Sequence, residues 1–272
     1  MTTASPRPGI AQTFAALREQ GRIGLVAFIP AGYPDLATTA AVLPELERGG
    51  ASVIEIGIPF SDPIADGPTI QAAFTEALRN KLHVGDVFAT VASVRPRLTV
   101  PLVAMVSYSI VYRYGLERFL ADAKRAGFDG LILPDLPPPE ARRVCDTVQR
   151  HGLETTLLVA PTTSPERRAE IARLSSGFVY YLSVSGITGE RDQLPADLAQ
   201  NVASLRKLTD RPVCVGFGIS RPDHVAQLQG VADGAIVGSA IVKRMQQHTG
   251  ASPDLIARAA GDLCRELLSK VR

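Results

Sequence analysis

The chain has 272 residues, of which 46% are hydrophobic and 21% charged, with a formal net charge of +2. That balance is ordinary for a globular protein and, with no long basic run, argues against nucleic acid as the main partner. No apolar run approaches the ~18 residues needed to span a membrane, and Cys145, Cys214 and Cys264 are too scattered for a disulfide framework or a metal pattern.

The three cysteines predict a reducing, cytoplasmic setting, and the N-terminal stretch MTTASPRPGIAQTF lacks an apolar signal core. An extra helix is predicted over about 10–20. Eight strand-like runs follow: GLVAFIP (24–30), SVIEIGI (52–58), PLVAMVS (101–107), GLILP (130–134), TTLLVA (155–160), GFVYYLS (177–183), PVCVGFG (212–218) and GAIVGS (234–239). Helix-like stretches lie between them, for example 36–48, 115–126, 139–151, 165–174 and 221–228, and a terminal helix is predicted over about 253–270. Asp35 is an N-cap candidate and Gly49-Gly50 a stop for the same helix. Ser164-Pro165-Glu166 and Ser220-Arg221-Pro222 read as helix entries with proline in the first turn.

Strands that alternate with helices indicate a parallel sheet, and continuous apolar runs indicate strands covered on both faces. Eight such units in about 250 residues predict an α/β protein, a (β/α)8 barrel over 1–272 as a single domain. The alternative, an open Rossmann-like sheet, lacks a G-x-G-x-x-G after the first strand.

Active sites of such barrels form at the C-terminal ends of the strands. In the second strand, Val53, Glu55 and Gly57 share one face and Ile54, Ile56 and Ile58 the other. Glu55 is therefore expected to point into the barrel, where an unpaired carboxyl has a raised pKa suited to acid or base work near neutral pH. A structural glutamate bonded to a neighbouring strand is the other reading. In the loop PFSDPIADGPT, Asp62 and Asp66 each read alone as solvated turn residues. Asp66 gains weight from its place on the loop above the strand that carries Glu55.

SVSGITGERDQLP, after the sixth strand, is long enough for a lid. The ends of the last two strands, GFGIS and GSAIVK, place Gly216, Gly218, Gly238 and Ser239 where barrels often bind phosphate through loop N–H groups and a helix N-terminus. No lysine falls within a strand and the four histidines miss the strand ends, so neither a Schiff base nor a metal set is visible. What remains is carboxylate acid–base chemistry on a phosphorylated compound.

The stretch IEIGIPFSDPIADGPTIQ closely resembles the signature of the tryptophan synthase α subunit. GYPD, PDLPPPE, SGITG, GFGIS and GSAIVK fall in the matching order, so the resemblance runs from about residue 14 to 245. It implies a (β/α)8 lyase that cleaves indole-3-glycerol phosphate to indole and glyceraldehyde 3-phosphate. By motif position, Glu55 resembles the catalytic glutamate and Asp66 the catalytic aspartate. Tyr180 resembles the tyrosine beside the glutamate, Thr188 the lid threonine, and Phe28 and Phe217 ring-pocket residues. Gly189, Gly218, Gly238 and Ser239 resemble the phosphate site.

The implied chemistry is a retro-aldol cleavage. Glu55 would give a proton to indole C3 and deprotonate the glycerol hydroxyl. Asp66 would stabilise the resulting N–H⁺ and accept its proton. The resemblance also implies no cofactor in this chain and a pyridoxal-phosphate β subunit as partner, in an α2β2 assembly. One departure stands out: where the family usually shows Tyr-x-Asn after the third strand, this chain has Ser107 and Ser109. It bears on the indole pocket and on partner contacts, not on the two carboxylates. A freestanding lyase, a non-catalytic barrel that activates a partner, and another phosphate-binding barrel such as an isomerase remain as alternatives at this point.

Overall fold

The computed structural model describes residues 7–63, 66–183, 195–216 and 218–271. Its eight strands are β1 Gly24–Pro30, β2 Val53–Gly57, β3 Leu102–Met105, β4 Gly130–Ile132, β5 Glu154–Val159, β6 Val179–Leu182, β7 Val213–Gly216 and β8 Gly234–Val237. Each pairs in parallel with the next, and β8 pairs with β1, which closes the barrel. The predicted fold class is therefore the observed one. Most strands are shorter than their apolar runs. Ile58 and Val106 remain buried beyond the last ladder residues of β2 and β3, so hydrophobicity continues into the turns after regular pairing stops.

Twelve α-helices are described: α1 Ile10–Glu19, α2 Leu36–Arg48, α3 Pro68–Arg79, α4 Val84–Val94, α5 Tyr108–Tyr114, α6 Leu116–Ala126, α7 Pro138–Arg150, α8 Pro165–Leu174, α9 Leu198–Arg206, α10 Pro222–Leu228, α11 Ser239–Gln246 and α12 Pro253–Leu267. The predicted caps are in place. Asp35 Oδ1 accepts the Thr38 N–H at 2.6 Å, and Ser164 Oγ accepts that of Arg167 at 3.3 Å. Such side-chain acceptors satisfy donors that the first turn leaves free.

Two apolar clusters divide the molecule. Ile54 and Ile56 join the layer between sheet and helices. Val26, Val53, Val103, Ile132, Phe178, Cys214 and Ile236 fill the barrel interior, as the period-2 alternation requires. Ile10 and Phe14 of α1 belong to the interior cluster, so α1 plugs the N-terminal end of the barrel. Its first turn is held by Glu154, whose Oε1 accepts the Ile10 N–H at 2.8 Å and whose Oε2 accepts that of Ala11 at 3.2 Å. A negative charge there also complements the helix dipole. With one end plugged, the other end is left for a site.

Candidate active site

Glu55 points into the barrel, as the alternation of β2 predicted. Its side chain is 1% exposed, and among the described residues neither carboxyl oxygen has a hydrogen-bond partner. An ionised carboxylate in such a place is costly. Burial first, and then the charge of Asp66, push its pKa up to about 8. Asp66 lies above it at the start of α3, buried, and burial pushes its pKa up to about 6. The two carboxyl groups thus have unlike proton affinities, the pattern that assigns acid and base roles within one pair. Asp62, by contrast, is exposed and accepts the Ser61 hydroxyl at 2.6 Å. The turn reading holds for Asp62, whereas Asp66 is drawn under cover.

The phenol of Tyr180, on β6, is raised well above its usual range by burial, then by Glu55 and Asp66. Its ring lies against the bare backbone of Gly216 on β7, where an added Cβ would fall 2.5 Å from the hydroxyl. On the opposite side, Phe28 is the register partner of Glu55. It is 5% exposed and packs edge-on to Phe74 of α3, with ring centroids 6.4 Å apart and planes at 73°. Beside Asp66 opens a cavity of about 210 Å³ walled by Ile58, Phe74, Met105 and Pro134. Asp62, Ser107 and Asp135 line it too, and a largely apolar slot with carboxylates on its wall suits an aromatic ring that carries an N–H.

The ends of β7 and β8 adjoin. Gly218 has φ +79°, a conformation that a side chain would strain. Gly238 is the N-cap of α11, whose first helical bond is Val242 N–H to Gly238 O at 3.0 Å. The N–H groups of residues 239–241 therefore have no acceptor within the helix, and with the helix dipole they form a ready anion site. Thr188, Gly189 and Phe217, like the lid stretch over 184–194, lie outside the described residues.

Ser107 and Ser109, where the sequence departs from Tyr-x-Asn, stand at the start of α5. Ser107 caps α5 and donates its hydroxyl to Asp135 Oδ2 at 2.6 Å, while Asp135 Oδ1 accepts the Tyr108 N–H at 2.7 Å. The aspartate of PDLPPPE thus ties the loop after β4 to the loop after β3. Sequence reasoning did not single out this link, nor the helix α5 that it starts. Gly57 was noted only as sharing the Glu55 face, although a glycine inside a strand is itself a sign of close approach.

Among the described residues there is no group of three His, Cys, Asp or Glu side chains that could hold a metal ion, and no helix long and apolar enough to cross a membrane.

The family model described as tryptophan synthase alpha chain matches residues 14–268. Relatives carrying that name include one from Geobacter sulfurreducens, 48% identical over 242 residues that cover 89% of this chain and 92% of the relative. Another, from Synechocystis sp., is 45% identical over 263 residues, 96% of this chain and 98% of the relative. Among solved structures, a chain of tryptophan synthase from Mycobacterium tuberculosis superimposes with a TM-score of 0.85 at 36% identity, covering 96% of this chain and 99% of that one.

Proposed function

The chain belongs to the tryptophan synthase alpha chain family, lyases of tryptophan biosynthesis that cleave indole-3-glycerol phosphate, and from that premise we propose how its own residues carry the reaction. Glu55, protonated near neutral pH, gives its proton to indole C3. The ring nitrogen becomes positive, and the ionised Asp66 accepts the hydrogen bond of its N–H. Glu55, now a carboxylate, takes the proton of the glycerol hydroxyl. The bond between C3 and the glycerol carbon then breaks, its electron pair restores the neutral indole, and glyceraldehyde 3-phosphate leaves. Glu55 ends protonated, so the cycle closes.

The observation that carries this assignment is Glu55 itself: buried, without a hydrogen-bond partner among the described residues, and influenced by the charge of Asp66. The phosphate belongs at Gly218 and at the start of α11, Gly238 and Ser239, where unpaired helix N–H groups favour an anion. Phe28 and Tyr180 bound the ring on its inner side. Thr188 and Gly189 take the lid and phosphate roles, and Phe217 a ring-pocket role, that their motif positions imply.

The partner is a tryptophan synthase β subunit, in an α2β2 assembly, which consumes the indole with pyridoxal phosphate of its own. This chain needs no cofactor for the steps above. The chain acts as one domain, which the family match over 14–268 supports, and works in the cytoplasm. The test is release of indole from indole-3-glycerol phosphate, with and without the β partner. Release that depends on Glu55 and rises with the partner is expected. No release in either case, or release unchanged in Glu55→Gln, overturns the assignment.

A further inference from the structure

One aromatic ring stands between the two halves of this site. Register places Phe28 opposite Glu55 on β2. On its other side β1 runs beside β8, with Ala27 paired to Val237, so Phe28 comes level with Gly238. Two bare positions meet its ring, Gly57, two residues beyond Glu55 on β2, and Gly238 after β8. A Cβ on Gly57 would fall 2.6 Å from Cε2 and 2.7 Å from Cζ of Phe28, and one on Gly238 would fall 3.0 Å from Cδ1. The helix side is closed as well, because the same Cβ on Gly57 would lie 3.0 Å from Cζ of Phe74. The ring thus spans the gap from the acid's strand to the N-cap of α11, with one edge on each glycine.

We propose that Phe28, seated between Gly57 and Gly238, is a spacer that sets the distance from Glu55 to the anion-binding start of α11, and with it the length of phosphate-bearing chain that the site accepts. This rests on the assignment of the phosphate to Gly238 and Ser239 and adds to it a positioning role for Gly57, to which no function has so far been given. The mechanics are simple. Protein interiors are close-packed, so an added methyl displaces what it meets. A methyl on Gly57 pushes the ring away from β2. Phe74 stands beside that methyl on the helix side, and Gly238 faces the opposite edge of the ring, so a ring pushed from β2 presses on Gly238. That shift tilts the first turn of α11 and spoils its grip on an anion, while the atoms the new methyl meets first belong to Phe28 and Phe74 and not to Glu55.

The experiment is a double-mutant cycle on the full chain. KM and kcat for indole release are measured together with the Kd of glycerol 3-phosphate as the anion probe. Gly57→Ala is expected to raise KM and that Kd about tenfold, an overpacking effect, with a much smaller change in kcat. Phe28→Leu removes the ring edge that the new methyl meets, so adding Gly57→Ala to Phe28→Leu is expected to change the Kd no further. Gly238→Ala probes the same wedge from the other side and should show the same non-additivity, which keeps the test open should Gly57→Ala not fold. A normal Kd in folded Gly57→Ala, or equal penalties with and without Phe28→Leu, overturns the spacer. Should the wild-type chain release indole yet fail to bind glycerol 3-phosphate, or bind it as well with Gly238→Asp, the phosphate assignment itself fails and the spacer with it.

Discussion

The charge of Asp66 adds to burial in holding a proton on Glu55, so two carboxyl groups from one βα unit come to differ, at about 8 for Glu55 and about 6 for Asp66. The proposed reaction needs Glu55 protonated and Asp66 ionised, and the interval between those values is where both conditions hold. A bell-shaped kcat/KM is expected, with an acid limb near pH 6 and an alkaline limb near pH 8. Because the groups interact, the limbs belong to the pair rather than to either residue. Glu55→Asp and Asp66→Glu should move the limbs, and a flat profile from pH 5 to 9 would contradict the assignment.

Glu55→Gln and Asp66→Asn keep the shape of each side chain and remove its proton chemistry. A single acid–base group contributes about 10²–10⁴-fold, which is roughly 3–5 kcal/mol of barrier. Each variant is expected to lose at least that much in indole release, with circular dichroism unchanged. Retained turnover in Glu55→Gln would favour a barrel that only activates its partner.

Stability should respond in the opposite direction. The folded-state pKa of Glu55 is raised to about 8 from an ordinary carboxylate value of 4.5. Below pH 4.5 the group is protonated whether the chain is folded or unfolded, and it sets up no pH dependence. Between the two values the unfolded chain gives up a proton that the folded chain retains, so stability falls as pH rises and levels off above about 8. Glu55→Gln, which cannot ionise, should therefore match the wild type near pH 4 and exceed it at pH 9 by on the order of a few kcal/mol. Thermal unfolding across that range measures the difference, and a wild type as stable as the variant at pH 9 would refute it.

At the opposite end of the barrel, Arg95 is 4% exposed and bonds Asp129 Oδ2 at 2.9 Å through one terminal nitrogen, and the carbonyls of Leu98 and Val100 through the other. The same Asp129 oxygen accepts the Leu102 N–H at 2.9 Å, so the pair braces the starts of β3 and β4. Removing one partner of a buried pair costs about 3–5 kcal/mol. The Asp129 side chain keeps 19% exposure, which places Arg95→Ala at the low end, roughly 3 kcal/mol. Urea unfolding should show that loss, while kcat at 25 °C stays near wild type, since nothing at the mouth is touched.

Phe14 gives a comparable test of the plug. It is fully buried and stacks edge-on with Phe178 at a centroid distance of 5.9 Å. Phe14→Ala is expected to cost about 3–5 kcal/mol as a cavity mutation, read as a lower unfolding midpoint. A change below 1 kcal/mol would mean that α1 flanks the barrel without closing it.

Much of this protein could be read along the chain because the relevant signals are local. Apolar runs of strand length, glycine stops and side-chain caps mark each βα unit, and their alternation predicts a closed parallel barrel. The face of Glu55 followed from the period of two within β2, and the place of Asp66 from its loop. Motif order carried the rest of the site, including Thr188, Gly189 and Phe217, which lie outside the described residues.

Closure of the barrel decided what remained. It brings β8 beside β1 and so sets Gly238 against Phe28, residues from opposite ends of the chain. It inserts Ile10 and Phe14 under the interior layer, where the sequence predicted only a flanking helix. The pairing of β3 with β4 sets Ser107 beside Asp135 across adjacent loops. Alternation along a strand specifies which face a side chain takes, but not which neighbour it meets there; that depends on strand order and register, and these are set by packing of the whole.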